Sequence, residues 1–463
     1  MPETIGQGGI EHDARSADRF VPPAPFPKPG ERASLWQGLK TFSSQIEGLP
    51  AEVFEGDAWR PPVPGMPLFV MAPDAVRRVL LSEADAFPQG DLFARIMRPV
   101  WGDGLLLAQG AAWRAQRHAA AHAFRAAEMP ALAPFFVTAA DAAILRWRNS
   151  PDGRVDLFEE MKRVAFDVIL DAMLSGAEHF DRDAFKRDIS LFFADVNRMR
   201  LSYFLRADAY HARRPQRTSA HKAGLMAAIA ALVEARRTAP PRGDLVDLLL
   251  AARDPETGEG FSDAQLCDNL LGFIMAGHET TAVALTWALY LVARHEPTRT
   301  RLRAEVNAVT GGADVGPDHI PNLVFTRQVV SEAMRLYPPA FLLTRISARD
   351  TELCGHPVKA GQRVNIPVYA LHRRADTWHD PHAFDPDRFA PSAPAPDRFR
   401  YLPFGAGPRI CIGAAFAMAE IVTVLATIVR AVEIDPPADE TVWPQTGLAL
   451  HPRHGMPVRV TPR

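Results

Sequence analysis

The sequence predicts a mainly α-helical protein with a small β portion, and three observations lead there. Apolar residues recur at spacings of three and four through the middle of the chain, as in residues 127–148 (AEMPALAPFFVTAADAAILRWR) and 221–237 (HKAGLMAAIAALVEARR). That period places one apolar stripe along a helix. Strand signals are short and sit mainly at residues 67–71, 351–367 and 448–460. One long helix announces its own start: Ser262 followed three residues later by Gln265 forms a capping box, and the apolar pattern then runs through residues 267–295 with no proline until Pro297. At a rise of about 1.5 Å per residue this helix would be roughly 50 Å long, enough to cross the molecule.

The interior of that helix breaks its own rules. Ala276-Gly277 and Glu279-Thr280-Thr281 interrupt an otherwise apolar run, although an interior Gly costs about 1 kcal/mol and a buried carboxylate needs a partner. A functional reason is expected at this turn. Residues 1–33 are rich in Pro, Gly and charge and read as a flexible lead, whereas residues 34–463 show no linker or repeat and read as one catalytic domain.

Bulk properties narrow the function. The 463 residues are 47% hydrophobic and 23% charged with a formal net charge of -2, ordinary for a globular protein and without bulk attraction for nucleic acid. Cys267, Cys354 and Cys411 are odd in number, far apart and free of any CxxC pattern, so neither a disulfide framework nor a zinc site is indicated, and a reducing cytoplasm fits. The polar N-terminus predicts no signal peptide and no membrane anchor. The apolar stretches 270–295 and 410–431 carry His278 with Glu279, and Glu420, respectively, and read as buried helices.

The chemistry concentrates at Phe404-Gly405-Ala406-Gly407-Pro408-Arg409-Ile410-Cys411-Ile412-Gly413. Two Gly and a Pro describe a tight turn, and Cys411 then stands at a helix entrance, where the dipole and free N–H groups favour a thiolate. Gly413 leaves room for a flat ligand beside the helix. This segment resembles the cysteine-ligand loop of the cytochrome P-450 family, in which a Cys thiolate is the axial ligand of haem iron.

Further segments, in the right order, extend the resemblance. Glu332-Ala333-Met334-Arg335 is similar to the family's ExxR element, with Arg388 in FDPDRF as the third member of a structural network. Ala276-Gly277-His278-Glu279-Thr280-Thr281 resembles its oxygen-activation motif: Gly277 and Thr280 would widen the helix into a groove, Thr280 would hydrogen bond the activated oxygen and Glu279 would relay protons. Trp113 and Arg117 match the WxxxR element that binds haem propionate, and Arg345 and Arg409 match its other propionate partners. The GPRIC form looks closer to fatty-acid hydroxylases than to the camphor-hydroxylase type.

The resemblance implies the cytochrome P-450 fold, haem b, dioxygen, and hydroxylation or epoxidation of an apolar terpenoid, fatty acid or similar molecule. Pocket positions are expected at 92–101, 191–196, 273–276, 340–343, 367–369 and 447–448, nearly all apolar. With no flavin or nicotinamide motif, electrons would come from a separate ferredoxin or flavoprotein. A peroxide-driven oxygenase or dehydratase, and a haem sensor without turnover, are the rival readings. The pair Glu279 and Thr280 favours dioxygen activation, since the rivals have little need of proton delivery.

Overall fold

The computed structural model describes residues 20–27, 44–63, 65–90, 101–173, 216–436 and 442–463, with positions 98, 181, 184–185, 187–189 and 191. Its longer helices are α1 (Gly110–Ala121), α2 (Met129–Arg148), α3 (Leu157–Met173), α4 (Gln216–Thr238), α5 (Asp263–Arg294), α6 (Glu296–Thr310), α7 (Val324–Leu336) and α8 (Ala414–Ala431). The capping box is formed: the Gln265 N–H donates to Ser262 Oγ at 3.2 Å and the Ser262 N–H to Gln265 Oε1 at 3.0 Å. Helix α5 ends at Arg294, just before the Pro that cannot continue it. It packs on α3 along one side and on α8 and α7 along others, so its apolar residues are buried nearly all round from Val283 to Val292.

The helical expectations for 127–148 and 221–237 are matched by α2 and α4. The expected strands are present as well, within a larger β portion. A four-stranded sheet has the order β1 (Ala58–Trp59), β2 (Leu68–Val70), β4 (Arg363–Ile366), β3 (Leu343–Ile346). Its register sets Arg345 opposite Val364 and Leu343 opposite Ile366. Strands of two to four residues such as Ala58–Trp59, Arg154–Asp156, Leu343–Ile346 and Val432–Asp435 carry too little alternation to be read locally. Partners distant in sequence define them.

Part of the segment read as a flexible lead is docked. Phe20 O accepts from the Phe384 N–H at 2.9 Å, Pro23 O from Tyr337 Oη at 2.7 Å and Pro25 O from Tyr369 Oη at 2.9 Å. The Phe26 ring stacks on His382 with centroids 3.9 Å apart. Proline lacks an N–H but keeps its carbonyl, so an extended Pro-rich strand remains a good acceptor. The remainder of the proposed lead, 1–19 and 28–33, lies outside the described residues.

Helix α8 is long and apolar enough by composition to cross a membrane, as is the helical stretch from Gly110 to Arg148. In the fold α8 is surrounded by α2, α5, α6 and α7. At its centre Glu420 is 0% exposed, and neither carboxyl oxygen has a hydrogen-bond partner among the described residues. Burial raises its pKa well above the carboxylate range, keeping the side chain protonated. The folded state then holds a proton that the unfolded chain releases above the ordinary Glu pKa, so this group makes stability fall as pH rises. Glu420→Gln should gain stability over the parent by up to about 1.4 kcal/mol per pH unit across that window. Melting curves from pH 5 to pH 8 check this, and a difference that stays constant with pH would contradict a neutral buried acid.

Candidate active site

The loop before α8 is built as its glycines require. Gly405 and Gly407 have φ of 72° and 74°, the left-handed region open to Gly. A Cβ on Gly407 would stand 1.7 Å from Leu80 O, so no side chain fits there. The Gly405 N–H donates to Leu402 O at 3.1 Å, the Ile410 N–H to Gly407 O at 3.1 Å and the Cys411 N–H to Phe404 O at 2.9 Å. Cys411 follows this turn, two residues before the Gly413 cap of α8. A Cβ on Gly413 would come no nearer to Cys411 Sγ than 4.0 Å, an ordinary contact.

Cys411 combines accessible surface with strong desolvation, which places it deep in a cleft. Burial raises its thiol pKa, while the Gly413 main-chain N–H and the Arg117 charge pull it down. The helix entrance favours the thiolate as expected, through the Gly413 N–H, against the opposing effect of burial. A coordinating metal ion deprotonates a thiol outright.

Around Cys411 the fold gathers the expected arginines. The Arg409 guanidinium lies 4.2 Å from the Trp113 ring centroid, with Nη2 donating to Ala108 O at 2.9 Å and Nη1 to Gln89 Oε1 at 3.3 Å. Arg345, on β3, donates to Thr344 O at 2.9 Å. Burial lowers the pKa of Arg345 to about 10, and burial with the charges of Arg345 and Arg117 lowers that of Arg409 to about 10. Arg117 is depressed by burial too, against the raising effect of Cys411. Among the described residues no salt bridge joins any of the three to a carboxylate. Three desolvated cations beside one cysteine form a receptor for a dianion with a soft metal centre. A haem, with two propionates and an iron open to an axial ligand, fits this set of residues.

The helix is continuous through residues 276–281. Gly277 faces α3, where a Cβ would meet Ile169 Cδ1 at 2.8 Å, so its missing side chain lets two helices approach. Ala276 and Thr280, one turn apart, are exposed where most of α5 around them is buried, and they border a cleft. Thr280 Oγ1 donates to Ala276 O at 2.6 Å. Its lone pairs stay free to accept while the proton is committed to the main chain. Glu279 is buried beside it, at 8% exposure.

The family profile for cytochrome P450 matches residues 56–457. The chain belongs to the cytochrome P450 family. It is 30% identical over 88% of its length to cyclooctat-9-en-7-ol 5-monooxygenase of Streptomyces melanosporofaciens, covering 87% of that protein. It is 30% identical to pentalenene oxygenase of Streptomyces avermitilis, over 84% of this chain and 87% of the relative. A human ultra-long-chain fatty acid omega-hydroxylase is 28% identical, over 94% of this chain and 88% of its own. The crystal structure of the cytochrome P450DA heme domain superposes with a TM-score of 0.81 at 24% identity, covering 96% of this chain and 98% of that one. This P450 is thus a haem-thiolate monooxygenase with the cytochrome P450 fold, using dioxygen, an organic substrate and a redox partner.

Behind the Cys411 loop the P450 holds a charge network. Glu332 and Arg335 are both 0% exposed. Arg335 Nε and Nη2 each donate to the Glu332 carboxylate at 2.7 Å. The remaining guanidinium protons reach His372 O at 2.8 Å, Pro381 O at 2.7 Å and Ala383 O at 2.9 Å. All five donors of the guanidinium are satisfied. Arg388 Nε lies 3.5 Å from Glu332 Oε1, and its Nη2 donates to Asp380 O at 2.8 Å. Sequence reasoning missed His372, Arg373 and Tyr337, which with Tyr369 complete this interior. Tyr369 was expected to line the pocket, yet it is fully buried with its hydroxyl on Pro25. Of the other pocket expectations, 92–97, 99–100 and 192–196 lie outside the described residues.

Proposed function

We propose that this P450 hydroxylates or epoxidises an apolar, lipid-like molecule of terpenoid or fatty-acid type, on haem b ligated by Cys411, with electrons from a separate ferredoxin or flavoprotein in the cytoplasm. The apolar lining carries the substrate reading. Leu343 reaches the Cys411 loop at Gly405. Phe273, one turn before Ala276, is partly exposed and meets Phe124 edge-on at 5.0 Å. Leu342 and Leu448 are likewise partly exposed, and such surfaces bind apolar ligands through area removed from water. Relatives named for pentalenene, cyclooctat-9-en-7-ol and an ultra-long-chain fatty acid support it.

In this reading the haem supplies the redox chemistry that splits dioxygen. Arg117, Arg345 and Arg409, with Trp113, would hold the propionates, Phe404 and Gly413 would shape the face beside Cys411, and Ala276 and Gly277 would contribute to the cofactor site from α5. Thr280 would hold a hydrogen-bonding partner in the cleft through its free lone pairs, Glu279 would relay protons, and Glu332, Arg335 and Arg388 hold the loop. Residues 34–463 act as one catalytic domain.

Thr280→Ala tests the proton step on an apolar compound chosen because it shifts the haem spin state. The hydroxyl bond to Ala276 O is not needed by the helix, so haem content and the spin shift should survive. Product per reductant should fall by more than half, with hydrogen peroxide accumulating, and Thr280→Ser should restore coupling. Product that tracks reductant one for one in Thr280→Ala removes Thr280 from the mechanism. A library in which only charged compounds shift the spectrum overturns the apolar substrate.

A further inference from the structure

We propose that His372 is a positioning residue: it carries the geometry of the Glu332–Arg335 pair into the loop that presents Cys411, by accepting the Leu402 N–H at its ring Nε2. The proposal rests on the assignment of Cys411 as haem ligand. His372 follows the short helix Val368–Leu371 and is 0% exposed. Its main-chain carbonyl accepts from Arg335 Nη1 at 2.8 Å. Its ring Nε2 lies 2.8 Å from the Leu402 nitrogen. A main-chain N–H can only donate, so Nε2 bears the lone pair and the ring proton sits on Nδ1. Geometry thus decides the tautomer.

Leu402 is where the loop begins. Its carbonyl accepts from the Gly405 N–H, and two residues on Phe404 O accepts from the Cys411 N–H. A continuous run of hydrogen bonds therefore joins helix α7 to the residue before the first turn of the Cys411 loop. A second tie runs beside it: Tyr401, whose ring centroid is 5.1 Å from that of His372, donates its hydroxyl to Ser331 O at 2.8 Å. The imidazole is thus clamped between the helix that bears the ion pair and the chain entering the loop.

The surroundings keep the acceptor an acceptor. Burial, then the Arg335 and Arg373 charges, lower the His372 pKa to about 3, with main-chain groups of Arg335 and Met334 partly offsetting this. An imidazolium would set an Nε2–H against the Leu402 N–H, so a neutral ring is what the contact needs. Neighbouring cations secure it across the working pH range, and only the displaced ligand loop would report its loss.

The test compares His372→Gln, His372→Asn and His372→Leu in the haem-loaded protein. Gln can place its amide oxygen where Nε2 stands, Asn reaches only the position of Nδ1, and Leu offers no acceptor. The readout is the share of the reduced carbon monoxide complex absorbing in the red-shifted thiolate band, alongside haem content and melting temperature. Most of the band should be lost in His372→Asn and His372→Leu and most of it kept in His372→Gln, with the loss in Asn larger than its modest drop in melting temperature below Gln accounts for. A band share that merely follows melting temperature, or that is equal in Asn and Gln, overturns the proposal. If Leu fails to fold, the Asn and Gln pair still decides. Failure of the Cys411 assignment shows separately, as a parent protein without the band or a Cys411→Ala variant that keeps it.

Discussion

Replacing Arg335 with Ala should destabilise this P450 by about 3 to 5 kcal/mol, the cost of stripping one partner from a buried ion pair. The deletion leaves the Glu332 carboxylate at zero exposure with only the Asp385 N–H, at 2.9 Å, and the more distant Arg388. It also strips a donor from each of three carbonyls, at His372, Pro381 and Ala383, and a buried carbonyl without a partner adds its own desolvation cost. Glu332→Ala should cost a similar amount by leaving a guanidinium unneutralised in the interior. Arg335→Lys should rescue little, because an ammonium offers three donors where five are used. Denaturant unfolding and soluble yield check this. A variant of either residue that unfolds within 1 kcal/mol of the parent, on the order of a surface substitution, would show the pair to be dispensable.

Cys411→Ala should abolish the red-shifted band of the reduced carbon monoxide complex and leave the fold nearly intact. The sulfur's hydrogen-bond contact is with the Gly413 N–H at the helix end, whereas the Cys411 N–H on Phe404 O, which closes the loop, is main chain and survives the substitution. Without the sulfur no other group in the described residues offers a thiolate beside Arg117, since Cys267 is buried in α5 and Cys354 sits on the hairpin after β3. Cys267→Ala and Cys354→Ala should both keep the band. Spectra of the three variants under dithionite and carbon monoxide decide it: the assignment fails if Cys411→Ala retains the band.

What the sequence determined by itself was local. The capping box at Ser262 and Gln265, the left-handed glycines at 405 and 407 and the helix after Cys411 depend on residues within a few positions of each other, so short-range stereochemistry states them before any packing exists. The Cys411 loop and the ExxR spacing also identified the ion pair and its third member, because a helix turn and a resemblance suffice for both. Tertiary structure decided the rest. Gly277 proved to serve the approach of Ile169, the Cys411 thiol is raised because desolvation outweighs the helix end, and Glu420 is an orphaned acid because four helices close around it. His372 and Leu402 are 30 positions apart, and Tyr369 and Pro25 are separated by 344. Solvation and long-range hydrogen bonding depend on which distant segments meet, and no periodicity or motif along one stretch of chain encodes that meeting.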